Sequence, residues 1–305
     1  MDKVDLKKIT TEARNKDTLD IDKISTIEVL QKINNEDKKV PLCVEKCIPS
    51  IAKLVDQIVK RFKKGGRLIY VGAGTSGRMG LIDAAECHPT FSCSFDMIQG
   101  LMAGGKDAII EAAEGAEDDT KAGIVQLKNI KLSRLDTVIG IAASGRTPYT
   151  VSCIEYANRI GALTGCITVS KNSILAKKAK YPIECITGPE VFMGSTRMKG
   201  GSAEKIITNM ISSASMVKMG RVYSNLLTDM MVTNSKITER AKNVVVEGLG
   251  VSYEEAEMML KKYGTIKYAL FSGVTGLTDL DKIKKILDKH QGNFKESVEY
   301  AIKHI

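Results

Sequence analysis

Leu68-Ile69-Tyr70-Val71-Gly72-Ala73-Gly74-Thr75-Ser76-Gly77-Arg78 decides how the chain is read. Four apolar or aromatic residues ending in glycine predict a short strand buried on both faces, and Ser76 to Glu86 predicts the helix that leaves it. Formally the turn matches G-x-G-x-x-G, the dinucleotide fingerprint, but alone that pattern is a weak signal. A ribose partner would be an acid ending a second strand about twenty residues on, and Asp96 is only an approximate candidate. The unusual feature is the hydroxyl pair Thr75-Ser76 inside the turn. With Gly74 and the backbone N–H groups of a helix start, such hydroxyls cradle a phosphate monoester or a sugar rim. The plainer alternative is a tight turn with a capping serine.

Working outward, strands and helices alternate. Apolar positions from Leu42 to Lys64 recur at three and four, a helix face that Pro49 should kink or restart and Gly65-Gly66 should stop. Thr137 to Ala142 predicts a second strand, followed by a helix from Pro148 to Ile160. Leu163 to Val169 and Ile183 to Ile186 are further candidate strands, separated by a helical stretch from Ile174 to Lys180. Strands that are apolar throughout predict a parallel sheet covered on both faces, an α/β fold. A long helix is expected over Gly200 to Met219. Beyond about Asn225 strand signals disappear, and Glu254 to Lys262, Leu280 to His290 and Phe294 to His304 show helical spacing. The expected division is a helical N-terminal arm over 1–40, an α/β domain over 41–224 and a small all-helical domain over 225–305.

The second strand is followed by Ala142-Ala143-Ser144-Gly145-Arg146-Thr147-Pro148, with Pro148 near the first turn of the next helix. Two hydroxyl-and-glycine loops at the carboxyl ends of parallel strands would converge at a crevice. A dinucleotide fold needs only one. Two favour a phosphosugar, with Ser144, Gly145 and Thr147 as phosphate donors; two capped turns without a ligand are the alternative. Ser195, Thr196 and Lys199, in Gly194-Ser195-Thr196-Arg197-Met198-Lys199, precede the long helix and point toward an anion. Two acids invite general acid–base work: Glu86, ending the helix after the first loop, and Glu117, in Glu114-Gly115-Ala116-Glu117-Asp118-Asp119. Crowding of Glu117 by Asp118 and Asp119 disfavours its charged form, which suits a base near neutrality. Solvated helix ends account for both acids equally well.

Composition narrows the classes. At 305 residues, 43% hydrophobic and 27% charged, the chain suits a folded protein of about two domains. Its net charge of +9 is dispersed, densest at Lys63-Lys64, Lys177-Lys178 and Lys284-Lys285. Nine tyrosines, six phenylalanines and no tryptophan do not alternate with basic residues as a single-strand nucleic-acid platform requires, so no nucleic-acid partner is expected. A dispersed positive field suits a small anionic ligand. Seven cysteines include no C-x-x-C pair, and His88, His290 and His304 show no ligand spacing, so no metal is expected. The charged start lacks the apolar centre of a signal peptide, and no stretch of about eighteen apolar residues occurs. Free thiols without an export signal point to the cytoplasm.

Taken together, Leu68 to Arg78, Glu114 to Asp118, Gly140 to Tyr149 and Gly194 to Lys199 resemble the N-acetylmuramic acid 6-phosphate etherase family. The resemblance runs from Thr10-Thr11-Glu12-Ala13-Arg14-Asn15 through at least Lys205 and more loosely to the end. The family is similar to sugar isomerase (SIS) domains and to the glucokinase regulatory protein. The resemblance implies a flavodoxin-like α/β sandwich, a homodimer, a small C-terminal helical domain, a sugar-phosphate substrate and no cofactor. It places the family's acid on Glu86 and its probable base on Glu117. Departures are His88 for a proline, a bulkier Phe192, and Gly200 and Ser202 where Ala and Thr are frequent; none removes an acid or a loop hydroxyl. A non-catalytic phosphosugar sensor and an aldose–ketose isomerase are the competing readings. His290, in the tail, is a further candidate, with a surface histidine as its alternative.

Overall fold

The computed structural model describes residues 10–111 and 113–304. The chain forms two compact units, residues 1–85 with 95–212 and residues 86–94 with 213–305. The arm expected over 1–40 lies in the first unit, its residues 1–9 outside the described ones. It contains α1 (Thr26–Asp37) and the start of α2 (Lys39–Glu45), and α3 (Ile48–Phe62) follows. Pro49 sits in the first turn of α3, so it restarts the helix rather than kinking it.

In the first unit β1 (Leu68–Gly72), β2 (Ile98–Met102), β3 (Thr137–Ile141), β4 (Leu163–Thr168) and β5 (Tyr181–Glu184) make one sheet in the order β2-β1-β3-β4-β5. Every pairing is parallel, with Leu68 opposite both Ile98 and Thr137, and Thr137 opposite Leu163. This is the doubly wound order in which β1 and β3 leave in opposite directions and open a crevice beyond their carboxyl ends. β1, β3 and β4 are buried along their whole length, which explains their unbroken apolar sequences.

The strand period of two sends Ile69 and Val71 to one face and Tyr70 to the other. Ile69 and Val71 join Val138, Cys166, Tyr149, Cys153, Ile154 and Leu175 in a core under α5 (Ala122–Asn129), α6 (Pro148–Ile160) and α7 (Ile174–Lys178). On the opposite face lie α3, α4 (Gly74–Phe91) and α8 (Lys199–Lys218). Leu54 of α3 meets Gly165, Gly80 of α4 meets Tyr70, and the Tyr70 hydroxyl donates to Asp83 of α4 at 2.9 Å. Asp83 also accepts from Asn209 at 2.7 Å and Ser212 at 2.9 Å, tying α4 to α8 through a carboxyl whose pKa burial raises.

The second unit is helical, with a short hairpin of β6 (Val222–Tyr223) and β7 (Leu226–Leu227). α9 (Ser235–Leu249), α10 (Tyr253–Tyr263), α11 (Ile266–Thr275) and α12 (Leu280–Lys289) start at the capping residues Asn234, Ser252, Thr265 and Asp279. Gly250, Gly264 and Gly276 end the first three in the left-handed conformation. Val245, Leu270, Phe271, Ile283, Leu287 and Phe294 form the core with α13 (Phe294–His304), the Phe271 and Phe294 rings meeting edge-on at 6.2 Å. His290 packs its ring on Tyr300 within this unit. Among the described residues no helix is long and apolar enough to cross a membrane.

The strand-to-helix turn after β1 is closely packed. A Cβ on Gly77 would stand 2.8 Å from the Gly72 carbonyl oxygen and 2.9 Å from Met102 Cγ. Alanine in a helix gains about 1 kcal/mol over glycine, but overpacking against backbone costs about 1–3 kcal/mol. Gly77→Ala should therefore lower the denaturant midpoint; an unchanged midpoint would mean that strand and helix can part without penalty.

Candidate active site

The four segments singled out in the sequence lie at the carboxyl end of the sheet. Gly72 of β1 pairs with Ile141 of β3, so the loops 73–76 and 142–147 leave adjacent strands side by side. Gly74 has φ +54°, and α4 starts at that residue with no acid in its first turn. In the second loop Gly145 has φ +63°, and a Cβ there would collide with Ser173, the residue that caps α7. Only glycine satisfies both conditions. Ser144 Oγ accepts the Arg146 N–H at 3.3 Å, which leaves its proton free. Thr147 precedes Pro148 at the N-terminus of α6 without capping it by its side chain, and α6 likewise starts without an acid. Two acid-free helix starts with hydroxyls between them are chemically suited to an anion.

A cavity of about 270 Å³ opens beside the first loop, lined by Ala73, Gly74, Arg78, Met102 and the segment Ala113–Glu117. Arg78 fixes one wall, donating to the carbonyls of Ala108 and Ile109 at 2.8 Å each. Glu117 is exposed in a 3₁₀ turn over Ala116–Asp118. Of its acidic neighbours, Asp119 is engaged by the backbone. It accepts the backbone N–H groups of Lys121 and Ala122, which hold its pKa below the usual carboxylate value. Glu86 is exposed on α4, at the point where the chain enters the second unit.

Thr75 and the start of α8 approach one another: a Cβ on Gly201 would lie 3.1 Å from Thr75 Cγ2. Ser195 and Thr196 are half-buried in the turn before α8. Two expected anion donors are engaged elsewhere. Ser76 is 8% exposed and its hydroxyl donates to Glu204 of α8 at 2.8 Å. Lys199 is 1% exposed, its ammonium 2.6 Å from Glu36 of α1 and 2.9 Å from the Thr187 carbonyl. The expectation that Lys199 faces an anion fails because the arm brings a buried carboxylate to it. Burial opposes the charge on Glu36, but hydrogen bonds from Lys199, Lys39 and Asn15 leave its pKa below the usual value.

Sequence reasoning also passed over three groups. Glu190, with no solvent exposure, accepts the backbone N–H groups of Lys199 and Gly200 at 3.0 and 2.8 Å and so caps α8. Ser170, just past β4, has a buried hydroxyl with no partner among the described residues. Glu204 is wholly buried, and its pKa is pushed up to about 8, chiefly by burial. Its signal was present: Glu204, Thr208, Ile211 and Ser215 follow the helical period as one closed stripe.

Known proteins resemble the chain in sequence and in fold. The glucokinase regulatory protein N-terminal SIS domain family matches residues 50–158, and the SIS domain family matches residues 119–213. A solved structure from Bacteroides fragilis, described as a phosphosugar isomerase involved in capsule formation, is 18% identical with a TM-score of 0.50. It covers 66% of this chain and 95% of its own, which shows the shared fold. Fold and loops together define a SIS-domain protein with an α/β/α sandwich and a helical C-terminal part. The N-acetylmuramic acid 6-phosphate etherase of Clostridium beijerinckii is 48% identical over 293 residues, 96% of each chain. That of Halalkalibacterium halodurans is 46% identical over 294 residues, 96% of this chain and 98% of its own. The chain belongs to the N-acetylmuramic acid 6-phosphate etherase family.

Removing the Lys199 ammonium leaves Glu36 buried without its main partner, a change that costs about 3–5 kcal/mol in comparable pairs. Lys199→Ala should lower stability by that order, measured by chemical denaturation. Since the Glu36 pKa is depressed in the folded state, the contribution is present above the unfolded carboxylate pKa and is lost as pH falls through the folded one. A variant as stable as the wild type would show that the pair contributes nothing.

Proposed function

We propose that the protein cleaves the D-lactyl ether of N-acetylmuramic acid 6-phosphate, giving N-acetylglucosamine 6-phosphate and D-lactate. The observation that carries this reading is its near-full-length kinship with curated etherases of that name. The anion site supports it, since two hydroxyl loops at acid-free helix starts suit a phosphate monoester.

The chemistry follows from the substrate. An ether oxygen is a poor leaving group, but ring opening exposes an aldehyde at C1 that acidifies the C2 proton. In the proposed sequence Glu117 takes that proton and an enolate forms. The C3–O bond then breaks as Glu86 protonates the departing lactate oxygen, and water adds to the unsaturated aldehyde at C3. Each glutamate would contribute ordinary acid–base catalysis of roughly 10²–10⁴-fold. Gly74, Thr75, Ser76, Ser144, Gly145, Thr147, Ser195 and Thr196 would bind the sugar phosphate. Lys199 is left out of that set because of its pairing with Glu36. No cofactor enters the sequence of steps. We place the enzyme in the cytoplasm as a homodimer that binds neither nucleic acid nor membrane. Exposed Ile82 on α4 and Met210 on α8 offer apolar surface to a second copy.

Free D-lactate from N-acetylmuramic acid 6-phosphate separates this enzyme from a sensor and from an isomerase, since neither rival releases it. Glu86→Ala should still exchange the C2 proton with heavy water while releasing almost no lactate, and Glu117→Ala should do neither. Exchange lost in Glu86→Ala and kept in Glu117→Ala would swap the roles. Ser144→Ala should weaken binding of N-acetylglucosamine 6-phosphate by about 1.5–3 kcal/mol, the worth of a hydrogen bond to a charged group. An unchanged calorimetric affinity would move the phosphate away from the second loop.

A further inference from the structure

Glu204 is a buried acid that the reaction above does not use. Its Oε1 accepts the Ser76 hydroxyl at 2.8 Å, while Oε2 is closed to solvent with no partner among the described residues. Three of the charged groups near it are engaged. On the segment before α8, Glu190 is held by the amides of Lys199 and Gly200. Lys199 itself is paired with Glu36. On α4, Asp83 is two turns beyond Ser76 and takes its bonds from Tyr70, Asn209 and Ser212. Lys205, next along α8, is exposed.

Two buried carboxyl groups thus share this end of α8 with unequal support. Glu190 accepts two amide donors, and Glu204 accepts one hydroxyl. The less supported group is the one that keeps a proton. Burial, with Glu190 acting in the same direction, sets its midpoint at about 8.

A serine hydroxyl carries one proton and donates it once. We propose that Glu204 is a positioning residue that decides whether Ser76 can donate to the sugar phosphate. As a neutral acid it donates its own proton to Ser76 Oγ, and the Ser76 proton is free for a phosphate oxygen. Once ionised it holds the Ser76 proton itself and sets a negative charge beneath the anion. No covalent bond changes apart from the carboxyl proton, which exchanges with solvent. The inference rests on reading the loop after β1 as part of the phosphate cradle.

Calorimetric titration of N-acetylglucosamine 6-phosphate between pH 7 and 9 tests it. The phosphate, with a second pKa near 6, is already a dianion over most of this range. Wild-type affinity should fall about tenfold, as expected for one proton taken up on binding with a midpoint near 8. In Glu204→Gln the amide N–H donates to Ser76 at every pH, so its affinity should stay level. A level wild-type profile, or an equal slope in Glu204→Gln, overturns the inference. Ser76→Ala separates it from the reading beneath: binding as tight as wild type at pH 7 removes the phosphate from this loop, and both fail. Weaker binding in Ser76→Ala with an unaltered slope in Glu204→Gln defeats the Glu204 role alone. Wild-type titration at pH 9 in two buffers of different ionisation enthalpy reads the proton without any variant. Uptake near one per site supports the proposal and zero overturns it.

Discussion

The carboxyl edge of the sheet depends on how closely α4 can lie against β1. Gly72 and Gly77 stand so near that a side-chain carbon on either would meet the other's backbone, and Gly80 leaves room for Tyr70 one turn later. This contact sets α4 down directly at the end of the strand. Its unpaired N–H groups therefore sit at the mouth of the crevice instead of being carried away by a longer connection. Gly145 performs the same service for the second loop, where Ser173 occupies the space a side chain would need. On the proposed reading, anion binding would follow from backbone placement first, with hydroxyls added to a frame that favours negative charge.

Behind that edge the protein buries charge rather than avoiding it. Asp83, Glu190, Lys199 and Glu204 are all closed to solvent around α8, and each is accommodated differently. Asp83 collects three neutral donors, Glu190 takes the free amides of a helix start, and Lys199 meets a carboxylate from the arm. Glu204 has the least. An apolar core would be cheaper in free energy. The polar one fixes where α4, α8 and the arm meet, because each partner leaves another group unsatisfied if it slips.

Legibility in the sequence followed burial symmetry. Strands covered on both faces announced themselves as apolar runs, and Pro148 to Ile160 and Phe294 to His304 appear with the expected limits. β2 was missed because Ile98-Gln99-Gly100-Leu101-Met102 is an edge strand whose centre is only half-buried, and Gly100 is there to clear Leu81. α4 outran its expected end at Glu86 by passing through Pro89 to Phe91. α9 and α11 were not foreseen, nor was the two-residue hairpin near Asn225, too short to show an alternation. At the site, the two loops were readable because glycine and hydroxyls follow a strand directly. Lys199 was misread because its partner lies 163 residues earlier, a distance over which local pattern carries no information.

That separation also shapes how the chain is made. Glu36 leaves the ribosome long before Lys199, and at about 5–20 residues per second the interval is roughly 8–30 s. During it the arm's carboxylate has Lys39 as its cationic partner, and seating it in its final buried place without the Lys199 ammonium would be unfavourable. The arm therefore cannot adopt its final seat during early synthesis, although its helices can already form. Its docking is tied to the arrival of α8, so the helix that carries Glu36 is among the last elements to be locked into the first unit.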